Sequence, residues 1–251
     1  MRMFEWTPDM VAFMRDASER SSFFEQAADQ IVEALGGDRA AASMHVCDAG
    51  CGLGYLSLAL AKRCRHVTAV DVAEKPLDEL RRNIASTRCG NVTVCCEDAF
   101  ALPAALQFDA MIFCMFGTIR QAVSAAQGRS RRIVMLQKTQ TRRRFSMEPE
   151  DAQPFPAAPD DAQLPQMQPV FSRALRLRLD QPIRSLADGV KFYSLYAKRD
   201  GLAQVNEQDV LRRLTPTDDP EFPYFIPATR EMTVQAFLLP AAFCPDSTEK
   251  E

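Results

Sequence analysis

The chain has 251 residues, 47% of them hydrophobic and 25% charged, and a formal net charge of −3. That length can bury a sizeable core, as one large domain or one domain with an appendage, and the composition is ordinary for a soluble globular protein. The small negative charge excludes any general electrostatic attraction to nucleic acid or an acidic membrane. No apolar run approaches the roughly eighteen residues of a membrane span. The opening MRMFEWTPDMVAFMRDASER lacks the apolar core and cleavage site of a signal peptide, so a cytoplasmic protein is expected.

Residues 1–43 read as helical. Pro8 and Asp9 can open a first helix, and SSFFEQAADQIVEALGG has a serine cap, a glycine stop and one face carrying Phe24, Ala28, Ile31 and Leu35. Residues 44–138 then alternate short apolar runs with helical spacing. MHVCDAG, HVTAVDV, NVTVCCED, FDAMIFCMF and RRIVMLQK read as five strands. Between them LGYLSLALAKRC, EKPLDELRRNIAS (with Leu77, Leu80 and Ile84 on one face), AFALPAAL and TIRQAVSAAQ read as helices, the third of them short. Strands alternating with helices require crossover connections, hence a mainly parallel, doubly wound α/β sheet with helices on both faces.

Residues 139–169 include FSMEPEDAQPFPAAPDDAQLPQMQP, whose proline and acid content suits a loop or insertion better than a core element. In 170–251, ALRLRLDQPI alternates Leu175, Leu177 and Leu179 with Arg176 and Arg178, the pattern of a half-exposed strand. SLADGVKFYSLYAKRDG and the asparagine-capped NEQDVLRRL read as helices, REMTVQAFLLP as a closing strand and DSTEKE as a polar tail.

The eight cysteines do not form a disulfide pattern. Cys47, Cys95, Cys96 and Cys114 lie in strand-like runs, where a free thiol behaves as a small hydrophobe. No Cys-x-x-Cys occurs, and Cys64 with His66 has no second pair to complete a metal site. No structural metal is expected, and reduced thiols fit the cytosol.

The densest feature is CDAGCGLGYLSL, residues 47–58, with three of the ten glycines. Placed between a strand and a helix, such glycines permit backbone conformations and close approach denied to other residues, and the helix that follows points free N–H groups at a bound anion. A dinucleotide loop needs Gly-x-Gly-x-x-Gly. Here Tyr55 or Ser57 falls at the third position, depending on the starting glycine. What stands instead is Asp48-x-Gly50-x-Gly52-x-Gly54, an acid at the strand end followed by glycines at every second residue. Asp71 ends the second strand, where a carboxylate can accept from ribose hydroxyls, and Asp98 ends the third. Taken singly, each could be a helix cap.

VCDAGCGLGYLSLALA closely resembles the first motif of class I S-adenosylmethionine-dependent methyltransferases, with Asp71 and Asp98 in register behind it. The resemblance covers residues 22–138 well and is weak beyond. It implies a seven-stranded sheet whose seventh strand is antiparallel and inserts beside the fifth, with the helix at FFEQAADQIVEAL as a lid and extra helices late in the chain as a cap. It implies S-adenosyl-L-methionine as cofactor, held by Asp48, Gly50, Cys51, Gly52, Gly54, Asp71, Val72, Asp98, Ala99 and Cys114, with Asp71 on the ribose and Asp98 and Ala99 on the adenine. The alternative from another class is a non-catalytic nucleoside-binding or scaffold module of the same fold, and a dehydrogenase is a third.

CMFG after the fourth strand departs from the Asn/Asp-Pro-Pro-Tyr/Phe of amino-directed nucleic-acid methyltransferases, and no Pro-Cys pair follows that strand as in cytosine-C5 enzymes. A small-molecule acceptor is therefore expected, with a protein acceptor as the second choice. His45 and His66 begin strands, away from the ligand edge. Tyr193, Tyr196, Tyr224 and Lys138 are the residues left as general bases, each better explained by packing or as a solvated charge. Trp6, Phe23 and Phe24 could meet a sulfonium but are better read as core, and the basic KTQTRRRF as a solvated loop.

Overall fold

A computed structural model describes residues 6–141, 153–154, 167–197 and 205–240. Most of the proline- and acid-rich insertion, the arginines of KTQTRRRF, the polar tail, Cys244 and the Tyr196 side chain lie outside the described residues. The elements begin with α1 (Pro8–Glu19), α2 (Phe23–Leu35), α3 (Asp38–Ala41), β1 (His45–Ala49), α4 (Tyr55–Ala61), β2 (His66–Asp71) and α5 (Glu74–Thr87). They continue with β3 (Val92–Cys96), β4 (Ala110–Cys114), α6 (Ile119–Ala126), β5 (Arg132–Lys138), β6 (Gln140–Thr141), β7 (Gln153–Pro154) and β8 (Phe171–Arg178). The last are β9 (Gln181–Ile183), α7 (Leu186–Ala197), α8 (Glu207–Leu211), β10 (Thr215–Pro216), β11 (Tyr224–Ile226) and β12 (Thr229–Leu238).

Seven strands form one sheet in the order β3-β2-β1-β4-β5-β12-β8. The pairs from β3 through β5 are all parallel. Thr139 donates to the Glu231 carbonyl at one end of the β5–β12 pair and Leu239 to the Arg131 carbonyl at the other, so β12 runs antiparallel to β5. Val170 to Ala236 and Leu179 to Ala228 make β8 antiparallel to β12, which restores β8 to the direction of the other five. The doubly wound sheet and the inserted antiparallel strand agree with the sequence reading. The central strands are buried almost throughout, as their unbroken apolar runs require when helices cover both faces.

Local signals work where they are strong. Thr7 caps α1 by accepting from the Met10 N–H, with Pro8 in the first turn. Ser21 accepts from the Phe23 N–H ahead of α2, and Gly36 and Gly37 end it. The helix expected at AFALPAAL does not form, and residues 97–109 are turns. Pro103 has no N–H and its ring excludes the preceding turn of a helix, while it pushes Leu102 towards an extended conformation. Asp98 starts the turn by accepting at its carbonyl from the Ala101 N–H, and Arg129 clamps the segment from outside through the carbonyls of Leu102 and Pro103.

The chain groups into two compact units, one of residues 1–24, 138–155 and 176–231, the other of residues 25–137, 156–175 and 232–251. In the first, Phe13, Ile183, Phe192, Tyr193, Val210 and Leu214 form the core. Beside it Arg184 pairs with Asp16, which is only 6% exposed. Arg20 pairs with Asp219 and Glu221, and both guanidinium groups lie over the Phe222 ring at 4.3 and 4.2 Å. In the second unit the main core runs along one sheet face and includes Met111, Phe113, Ala122, Ile133, Met135 and Phe237. Ala69, Leu77 and Leu80 make a smaller core where α5 meets the sheet. No described helix is long and apolar enough to cross a membrane.

α5 packs directly against the loop after β1. A Cβ added to Gly54, whose φ is +75°, would stand 2.3 Å from Leu80 Cδ1, so only glycine fits beneath that side chain. Leu80→Ala is expected to destabilise the fold by about 3 kcal/mol in urea unfolding, and a loss under about 1 kcal/mol would show that this contact does not hold helix and loop together.

Candidate functional site

The strand register brings the sequence-selected residues to one edge. Ala49 is level with Val70 on one side and Phe113 on the other, so Gly50 follows in the same row as Asp71 and Cys114. Asp71 is level with Cys96 on β3, and Asp98 and Ala99 lie just beyond it. Asp48, Gly50, Cys51, Gly52, Gly54, Asp71, Val72, Asp98, Ala99 and Cys114 thus all belong to the carboxyl edge of β1–β4, the edge where open α/β sheets bind ligands.

The loop turns back on itself. Gly50, Gly52 and Gly54 have φ of +72°, +55° and +75°. The Gly50 and Cys51 N–H groups both donate to the Val70 carbonyl, at 2.8 and 2.9 Å, and Gly54 donates to the Cys51 carbonyl at 3.0 Å. Asp71 fixes the crest, with Oδ2 accepting from the Gly52 N–H and Oδ1 from the Ala73 N–H, each at 2.9 Å. Each carboxylate oxygen keeps a second lone pair after those bonds. Val72, immediately after Asp71, is 46% exposed, an apolar side chain left open beside a carboxylate.

Asp48 lies beneath the loop, 1% exposed, and accepts from Ser57 Oγ at 2.6 Å. Burial pushes its carboxyl up to about 6, the Asp71 charge adds to that, and the Ser57 bond opposes it. Burial likewise holds the Cys51 and Cys47 thiols well above their usual range, with the aspartate charges acting in the same direction. Neither is poised as a thiolate for attack or metal ligation. The seven described cysteines are free thiols, and no three His, Cys, Asp or Glu side chains converge as a metal site among the described residues.

On the β4 side, the turn at 115–117 is built under constraint. Met115 has φ +54°, costly for a residue with a side chain, and Gly117 has φ +68°. Gln137, from β5, donates from Nε2 to the Phe116 and Gly117 carbonyls at 3.1 and 3.2 Å and holds the turn. The Phe116 ring stacks on Phe100 with centroids 5.0 Å apart and lies so close to Gly50 that a Cβ there would meet it at 2.4 Å. Asp98 is exposed and accepts from the Phe100 N–H at 2.9 Å, while Ala99 is buried.

Other expectations resolve simply. His45 and His66 stand at the starts of β1 and β2 with rings 4.9 Å apart, at the opposite end of the strands. Tyr193 is buried in the core of the first unit and Tyr224 packs on that core. Phe23 is fully buried, edge-on to Phe24. Sequence reasoning missed Ser57 and Gln137. Ser57 was detectable as the one serine in the apolar run YLSLALA, in the first turn of the helix after Gly54. Gln137 carries no local signal, because its partners come from a different strand's loop.

A family model described as a methyltransferase domain matches residues 46–134. With the sheet order, this match gives the chain the Rossmann-like fold of class I methyltransferases. Among solved structures, YcgJ from Bacillus subtilis shares 14% identity over 86% of this chain and 99% of that one, with a TM-score of 0.50. A proposed methyltransferase from Bacillus halodurans C-125 shares 10% over 80% and 94%, also at 0.50. A coclaurine N-methyltransferase bound to N-methylheliamine and SAH shares 12% over 94% and 80%, again at 0.50. At such identities these likenesses are of fold. No curated protein matches the chain by sequence.

Beneath the glycine loop, Asp48 makes stability depend on pH. Its folded value of about 6 stands above the 3.8 of an unperturbed aspartate, so the fold favours the protonated acid. Its contribution is fully present below about pH 4 and is lost as pH rises through about 6. Asp48→Asn, which can still accept from Ser57, is expected to gain roughly 2–3 kcal/mol over the parent chain between pH 4 and pH 7 in urea unfolding. A difference that does not vary with pH would show that Asp48 is not protonated by its burial.

Proposed function

We propose that the chain is an S-adenosyl-L-methionine-dependent methyltransferase acting on a small-molecule acceptor, in the cytoplasm, where its thiols stay reduced. The carrying observation is the pairing of a glycine crest with Asp71. The acid is already oriented by the Gly52 and Ala73 N–H groups, retains acceptor capacity on both oxygens, and has an exposed apolar Val72 next to it. A carboxylate beside an apolar platform suits a ribose bearing a purine.

In this reading residues 48–54 hold the methionine part, with Gly50 and Gly52 free of side chains and the Cys51 backbone following the ligand. Asp71 accepts from the ribose hydroxyls. Val72 and Ala99 flank the adenine, and Asp98 accepts from its amino group. Cys114 forms part of the wall. When bound, the cofactor supplies an electrophilic methyl group on a sulfonium. Phe116, held by Gln137 against Gly50, closes the site on the β4 side and excludes water, and the chain's remaining work is to orient an acceptor in line. Such transfer can run on positioning, so no side chain is assigned as general base. The CMFG sequence favours a small molecule over a nucleic-acid base, and a protein acceptor is the second choice.

Titration calorimetry with S-adenosylhomocysteine and with NAD tests the reading. The thioether product is expected to bind saturably and NAD not to bind; the reverse would make the site a dinucleotide site. Asp71→Ala is expected to weaken the product at least about tenfold. Unchanged affinity would reduce Asp71 to a structural cap. Product binding without methyl transfer to any of a panel of amines, phenols, thiols and carboxylates would identify a binding module of the same fold.

A further inference from the structure

The two edges of the seven-stranded sheet differ in character. β8 carries Arg173, Arg176 and Arg178 along its length, and charge of that kind keeps an edge from pairing with another chain. β3 is VTVCC, with no charge, no proline and three β-branched residues in succession. Among the described residues it pairs with β2 and with no other strand.

The backbone left open on β3 follows from what β2 uses. The Val67 N–H donates to the Asn91 carbonyl at 2.9 Å, and the Glu97 N–H donates to the Asp71 carbonyl at 3.1 Å. Alternate residues of a strand face a given neighbour. Asn91, Thr93, Cys95 and Glu97 therefore face β2, and Val92, Val94 and Cys96 turn their N–H and C=O groups outward. The ends of this edge carry opposite charge. Arg88, the left-handed cap of α5, precedes the strand, and Glu97 follows it. Both are exposed, and neither has an ion-pair partner among the described residues.

We infer that β3 pairs antiparallel with β3 of a second copy of the chain, joining the two sheets into one. Val94 then faces its own counterpart on the two-fold axis, and Val92 faces Cys96 in both directions. These are the outward-facing residues, so each opposed pair exchanges two backbone hydrogen bonds. A slip of one residue would set open backbone against backbone already used by β2. Charge selects the direction, because antiparallel pairing brings the Glu97 end of one strand to the Arg88 end of the other. Parallel pairing would bring like charges together. A contact of this kind is self-complementary and closes at two copies. The carboxyl edges of the two sheets then point in opposite directions, which leaves both glycine loops open. A pairing of five residues is small for a specific interface, so dissociation in the micromolar range is expected.

Sedimentation velocity on the full chain, from low to high micromolar concentration, tests the inference. A reversible equilibrium between monomer and dimer is expected. Val94→Pro removes an N–H that β2 does not use, at a position where an edge strand tolerates proline. It should weaken the dimer at least about tenfold. Arg88→Glu should also weaken it, and Arg88→Glu combined with Glu97→Arg should restore it. Cross-linking reads the register. Thr93 would stand opposite the second copy's Cys95 with Cα atoms about 4.5 Å apart, within reach of a disulfide. Thr93→Cys should therefore give a covalent dimer under mild oxidation, and the same change combined with Cys95→Ala should not. Circular dichroism melts report whether each variant folds. If Val94→Pro unfolds, the charge exchange and the cross-link still decide the matter. A monomer at every concentration, a dimer that neither Val94→Pro nor Arg88→Glu weakens, or a cross-link that survives Cys95→Ala overturns the inference.

Discussion

The glycine loop at the carboxyl edge of the sheet depends on one carboxylate. Asp71 reaches from the end of β2 to the Gly52 N–H on the neighbouring loop and to the Ala73 N–H behind it. A loop with three positive-φ glycines in five residues loses much conformational entropy on folding, because glycine has the most freedom to lose. Backbone bonds to Val70 fix its base, but the crest at Gly52 is fixed by a side chain from another strand. Because that acceptor is charged, its bonds are of the stronger kind. The site is thus organised by the same residue that the ligand would contact. An adenosine would meet a carboxylate that is already aimed, and the ordering cost falls on folding rather than on binding.

The β4 side follows a different logic. Met115 occupies a backbone region that costs about 1–2 kcal/mol, held there by Gln137 and by the Phe116 ring lying between Gly50 and Phe100. Such strain persists only where the surroundings over-determine it. Two unrelated devices, a charged acceptor and a strained aromatic turn, therefore converge on the same loop from opposite sides. Beneath it Asp48 adds a third, a buried acid whose ionisation the fold resists. The glycines can be read as the surface on which these three constraints meet.

Much of this was legible in the sequence because it is local. The strands of residues 44–138 are unbroken apolar runs with turn residues between, and burial on both faces demands that pattern. The beat of Asp48, Gly50, Gly52 and Gly54 declared a loop, and Asp71 stood at the next strand end. AFALPAAL misled because its alanines and leucines favour a helix individually, while Pro103 in their midst forbids one. The first unit was legible only in fragments. Its core joins Phe13 to Ile183 and Phe192, and the bond from Gln181 to Phe13 spans 168 residues. No periodicity encodes such a separation. Gln137 and the Arg129 clamp were silent for the same reason, since a polar residue at a strand end or in a loop names no partner until the chain has folded.

The placement of β12 between β5 and β8 affects how the sheet can be assembled. β8 is made well before β12, yet among the described residues it has no partner in the sheet except β12. During synthesis the first five strands can pair in order as they emerge, each beside a strand already made. β8 must then wait, with both edges unpaired, until residues 229–238 leave the ribosome. A waiting strand with free edges is open to wrong pairing, and three arginines along it, Arg173, Arg176 and Arg178, are the kind of charge that discourages such pairing. The half-exposed alternation that marked β8 as a surface strand thus also suits a strand that is made before its partner and placed only once that partner has arrived.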